Sequence, residues 1–146
     1  MSKRIFTKVF TNTLGAPTGD TAYNAFESWL VQYDAIEVIG VQASVWSVAP
    51  SENDGFATCD VEVSQVGVIA QEGAILSVHA GEGWNTTPAG ICREQGQLAV
   101  TFPGGFAVPV KEEGYIYING KTVGKSAGAS TFDYEVVVYY TKKGSR

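Results

Sequence analysis

Apolar and polar residues alternate with a period of two over much of this 146-residue chain. That period puts successive side chains on opposite faces of an extended strand, so it predicts β-structure with one dry and one wet face. Ile5 to Phe10 is short, alternating and rich in β-branched and aromatic residues. Ala57 to Ile69 places Cys59, Val61 and Val63 on one face and Asp60, Glu62 and Ser64 on the other. Past Gln65 the phase slips, because Val66 and Val68 take the formerly polar parity. A one-residue slip exchanges the two faces, which predicts a bulge or corner at Gln65–Gly67. Ala74 to His79, Gln97 to Phe102, Phe106 to Val110, Tyr115 to Asn119 and Phe132 to Thr141 carry the same signal. In the last, Phe132, Tyr134, Val136, Val138 and Tyr140 share one face, and Asp133 and Glu135 fall on the solvent side. Asp34 to Val48 and Phe132 to Thr141 hold apolar residues on both parities. A sandwich core covers only one face of each sheet, so the second apolar face needs a partner.

Turn chemistry separates these runs at Asn53-Asp54-Gly55, Glu72-Gly73, Pro103-Gly104-Gly105, Glu113-Gly114 and Asn119-Gly120, the last a candidate for a tight hairpin. Lys121–Ser130 reads as a longer loop. One segment departs from the β pattern. Phe26, Trp29 and Leu30 stand at i, i+3 and i+4 behind a capping Asp20 or Thr21, which predicts one short helix near residues 21–31. Seven or eight strands with Gly-rich turns, and no alternating helices, make the chain all-β. The expected architecture is a single-domain antiparallel β-sandwich over residues 1–146, jelly-roll-like, with extended ends at 1–10 and 142–146.

Charged residues make up 17% of the chain against about 25% in average chains, so much of the surface is expected to lie against partners. Ten Lys and Arg against fifteen Asp and Glu leave a net charge of −5, which argues against a nucleic-acid partner. No run of 18 apolar residues predicts a membrane span, and no signal-like apolar stretch follows Lys3-Arg4. Cys59 and Cys92 are the two cysteines and are expected as free, buried thiols. Asn85-Thr86-Thr87 fits a glycosylation acceptor, but without a secretion signal it reads as an ordinary polar loop.

Catalytic chemistry finds little material. His79 is the single histidine, and with two distant cysteines it makes too thin a donor pool for zinc. Gly124-Lys125-Ser126 fails the phosphate-loop spacing, and Glu52 to Gly55 lacks the calcium-loop spacing. No catalytic residue, cofactor site or metal site is therefore expected. Trp84 is different, since it follows Gly81-Glu82-Gly83 in a polar context where a large ring has no core role. With Tyr115, Tyr117 and Tyr139 it is a candidate for contact with a partner or a sugar. Trp29 and Trp46 sit inside apolar patterns and are expected in the core. Lys3 and Arg4, with Lys142, Lys143 and Arg146, put basic charge at both ends of an acidic body and suit docking on an acidic surface.

The stretch from Leu98 to Asn119 (a strand, Phe102-Pro103-Gly104-Gly105, Val108-Pro109-Val110, Glu113-Gly114, then Tyr115-Ile116-Tyr117-Ile118) resembles jelly-roll virion structural proteins, such as the capsid decoration proteins of tailed bacteriophages. That resemblance covers about a seventh of the chain and carries no site residue across. It implies a non-enzymatic protein on the capsid surface of a virion, assembled in the host cytoplasm. It also implies a homotrimer that stabilises the shell by binding the major capsid protein. The alternative is a carbohydrate-binding or adhesion module that uses the exposed aromatics as a stacking platform.

Overall fold

The computed structural model describes residues 4–17, 19, 21–48, 55–67, 74–86, 89–101, 107–124 and 130–143. They form ten strands: β1 (Phe6–Ala16), β2 (Thr21–Leu30), β3 (Ile36–Ser47), β4 (Gly55–Ser64), β5 (Ala74–Thr86), β6 (Ala89–Glu94), β7 (Gly96–Thr101), β8 (Val108–Val110), β9 (Tyr115–Val123) and β10 (Ser130–Lys142). All the pairings are antiparallel. The first sheet has the order β1-β10-β3-β7, with β8 sharing the β3 edge beside β7, and the second has the order β2-β9-β4-β5-β6. The pairings nest, with β1 on β10, β2 on β9, β3 on β7 and β8, and β4 on β5. A long hairpin rolled up in this way is jelly-roll connectivity.

The expected strands are present, β1, β5, β9 and β10 with longer bounds and β3, β4 and β8 with shorter ones, and the helix is not. Residues 21–30 form β2, which pairs with β9 along its whole length. The register shifts between Ala25 and Glu27, so Phe26 is an extra residue in the ladder. A bulge inserts one residue and turns a two-residue period into a three-residue step, which in sequence imitates part of a helical stripe. Asn119-Gly120 is likewise no hairpin, because both residues lie inside β9 between β2 and β4. The predicted corner at Gln65–Gly67 matches the end of β4 at Ser64.

The core lies between the sheets. Phe10 and Leu14 of β1, Val38, Val41 and Val45 of β3, and Phe132, Tyr134, Val136 and Val138 of β10 meet Cys59, Val61, Val63, Leu76, Val78, Ile116 and Ile118. These are mostly β-branched and aromatic residues that pack well on a pleated surface. One polar pair is enclosed with them: the Ser130 hydroxyl donates to Oε1 of Glu82, whose side chain is 0% exposed. At one side of the sandwich the sheets approach closely at Gly96, where an added Cβ would overlap the main chain of His79. Glycine removes that conflict and lets β7 of the first sheet lie against β5 of the second.

Candidate interaction surface

The antiparallel register fixes which residues share the outer face of the first sheet. One row across it reads Thr7, Tyr139, Gly40, Thr101, and the next reads Val9, Val137, Gln42, Ala99. The third is Thr11, Glu135, Ser44, Gln97, and the fourth is Thr13, Asp133, Trp46. Val9 is 54% exposed and the neighbouring Ile5 is 58% exposed. The register also shifts beside Tyr139, where β3 carries Ile39 as an extra residue. Ile5, Ile39, Ala99 and Tyr139 then line a shallow apolar hollow over the first two rows. This is the second apolar parity of β3 and β10, and it faces away from the core.

The lower two rows have a different character. Thr11, Thr13, Trp46, Asp133 and Glu135 line a second hollow. The Thr13 hydroxyl donates to Asp133 Oδ1 at 2.5 Å, holding that carboxylate beside the indole. Trp46 was expected in the core and is instead half-buried on the outer face. Both parities of β3 are apolar, so composition alone cannot rank them; the bulge at Ile39 sets which one faces inward.

The opposite end of the same sheet is basic and aromatic. Arg4 lies 5.1 Å and Lys142 4.8 Å from the Phe6 ring, and Lys8 lies 5.8 Å from the Trp29 ring. Phe6 stacks on Tyr140 at 5.5 Å, and Tyr140 meets Trp29 at 5.0 Å. The cationic stems cover the rings where β1 faces β2 and close that open edge of the sandwich. Arg4 and Lys143 are exposed there.

A third feature sits at this end on the second sheet. Leu30, Gln32, Tyr33, Glu112, Glu113 and Tyr115 line a hollow between the β2–β3 and β8–β9 connections. Tyr33 (φ 71°) and Glu113 (φ 64°) both adopt the left-handed conformation. Val31 and Glu113 tie the two connections together, through Val31 N–H to Gly114 O at 2.9 Å and Glu113 N–H to Val31 O at 2.8 Å. Tyr33 is left 82% exposed, and no periodic pattern marks it.

The residues singled out in the sequence scatter. Tyr115 is exposed and stacks on half-buried Tyr117 at 5.3 Å, so these two do come together. Tyr139 belongs to the outer face of the other sheet. Arg4 sits at the basic end, Lys3 lies outside the described residues, and so does the side chain of Trp84. The Trp84 backbone is inside the second sheet, opposite Gly55 and Ile91, rather than in a loop. His79 Nδ1 contacts Asp60 Oδ1 at 2.5 Å on the exposed side of the second sheet, where such a pair contributes little. Among the described residues no group of three or more His, Cys, Asp or Glu is placed to hold a metal ion. No helix long and apolar enough to cross a membrane occurs among them. Cys59 is a free, buried thiol, and Cys92's side chain lies outside the described residues.

No protein-family model matches the sequence, and no curated protein matches it. The fold is similar, at low TM-score, to virion β-sandwich proteins and to a pilus. The structure of Cocksfoot mottle virus has TM-score 0.46 and 10% identity over 98% of this chain and 97% of that one. The BFDV capsid protein has TM-score 0.41 and 12% identity over 96% and 99%. A Bacillus endospore appendage, from a family of disulfide-linked pili, has TM-score 0.44 and 12% identity over 98% and 93%. Likenesses of this depth carry no function across.

Proposed function

We propose that this chain is a non-enzymatic structural protein of a virion, which decorates and stabilises the capsid through contacts between copies of itself and with the major capsid protein. The observation that carries the reading is the outward apolar parity of β3 and β10. Ile39, Val137 and Tyr139, with Ile5 and Val9 beside them, face away from a core that is already closed by the second sheet. Covering such a face removes apolar area from water at about 25 cal/mol per Å², so association stabilises the assembly without any chemistry at a site. The test has two parts. Mass spectrometry of virions from the source culture should find the chain at stoichiometric copy number, and the purified chain should co-sediment with emptied shells. Its solution mass reads the copy number, including the trimer that the resemblance implies. Absence from particles together with failure to bind shells overturns the reading.

One observation favours a second reading, a carbohydrate-binding module. The hollow of Trp46, Asp133, Glu135 and two threonines joins a stacking ring to hydrogen-bond acceptors, as sugar sites do. Saturable glycan binding that is lost in Trp46→Ala supports this reading in place of the first.

A further inference from the structure

A sheet edge presents unpaired main-chain N–H and C=O groups, and proteins protect such edges with proline, bulges or charges. Four of the edge strands carry such a device. β1 has Lys8 on the inward parity, opposite Val138. β2 is bulged at Phe26, β8 contains Pro109, and β6 ends in Arg93-Glu94. β7 has none. Its sequence, Gly96-Gln97-Leu98-Ala99-Val100-Thr101, lacks proline and charge, and β3 is its sole partner among the described strands. Leu98 stands opposite Ala43 and Val100 opposite Val41, and both partners are buried, so these two positions belong to the inward parity. Leu98 is nonetheless 46% exposed, with no described strand paired beyond β7 to cover it. Gln97 and Ala99, on the outward parity, are exposed as well.

We infer that β7 pairs antiparallel with β7 of a second copy, about a two-fold axis that passes through Leu98 perpendicular to the sheet. The inference rests on the reading of the chain as one that contacts copies of itself, and it names the strand that makes the contact. Two-fold pairing lays a strand against its own sequence, so any charge near the axis would approach its own counterpart. β7 is uncharged over its whole length, which suits it to itself. Residues directly opposite in a ladder share a face, so an axis on a residue keeps the inward parities of both copies together. On Leu98 the axis sets Gln97 against Ala99 and Val100 against Gly96, larger side chains against smaller ones. The two Leu98 side chains meet and cover one another. Antiparallel strands exchange paired hydrogen bonds at every second position, so five paired residues add about four to six. Five residues span about 17 Å, a contact smaller than the about 1,200 Å² at which stable interfaces begin. The pair is therefore weak between free chains and strengthens where copies are held side by side.

The test is sedimentation equilibrium of the full chain up to millimolar concentration, with Leu98→Lys, Leu98→Glu and an equimolar mixture of the two. Leu98 is exposed, so neither substitution empties the core, and circular dichroism checks for native strand content and cooperative melting. Each variant alone sets like charges opposite one another and should weaken dimerisation by about fivefold or more. The mixture sets lysine against glutamate and should pair about fivefold or more tightly than either variant alone. A parent chain that stays monomeric at millimolar concentration overturns the inference. An oligomer indifferent to both substitutions, or a mixture no stronger than its parts, does so too. None of these outcomes touches shell binding, which tests the broader reading separately.

Discussion

The buried polar atoms carry sharper consequences than their number suggests. The Glu82 carboxyl sits wholly inside the core with the Ser130 hydroxyl as a donor, so losing that donor leaves an oxygen that water cannot reach. Ser130→Ala should cost about 1–3 kcal/mol in urea unfolding, while Thr13→Ala, which removes an exposed bond to Asp133, should stay within about 0.5 kcal/mol. Cys59 supplies a pH dependence. Burial, with the nearby Asp60 carboxylate, pushes its thiol from the ordinary 9.0 up to about 12. The folded chain thus holds this proton more tightly than the unfolded chain. Its contribution to stability is complete below pH 9 and is lost as pH rises from about 9 to about 12. Tyr134, buried and hydrogen-bonded to Glu27, shifts upward in the same sense, and so does Tyr140 through burial. Urea midpoints measured against pH should begin to fall near 9 in the parent. In Cys59→Ala the onset should move towards 10, the ordinary tyrosine value.

At the scale of elements, the most constrained contact is the meeting of β7 with β5. Gly96→Ala forces a methyl group into the His79 backbone, and overpacking of that kind costs about 1–3 kcal/mol. A fall in melting temperature with unchanged strand content checks this, and an unchanged melt would show that the sheets part freely there. The strands themselves were legible where alternation was clean, as in β4 and β10, because a period of two has one physical cause. They were illegible where a bulge intervened. Phe26 disguised β2 as a helix, and the extra Ile39 hid which side of β3 carries Trp46. β6 was missed because Ala89-Gly90-Ile91-Cys92-Arg93-Glu94 neither alternates nor concentrates β-branched residues. The site was read less well than the fold. Tyr115 and Tyr117 were found as a strand alternation, but Tyr33 owes its exposure to a left-handed backbone that no local pattern announces. The rows of the outer face depend on pairing between distant strands, so they cannot be read from any one segment.

For the molecule as a whole, low charge is only half of the electrostatic picture; the other half is segregation. Six of the ten basic residues (Lys3, Arg4, Lys8, Lys142, Lys143 and Arg146) fall in the first eight and last five positions. Pairing of β1 with β10 brings the described parts of those two segments side by side. Asp34, Glu37, Glu112 and Glu113 stand at the same end, so the bases there have acidic neighbours. The same pairing has a consequence in time. In the nested order β4 and β5 are neighbours in the chain and can zip first, whereas Phe6 waits for Tyr140. Topologies dominated by such distant pairings fold in milliseconds to seconds, and stopped-flow refolding should fall in or beyond that range. During synthesis the delay is longer still. β1 has β10 as its sole partner among the described strands, so it stays unpaired until β10 has left the ribosome. The domain therefore closes only once β10 has emerged, and the interval before that is when its open edges are most exposed to aggregation and to other chains.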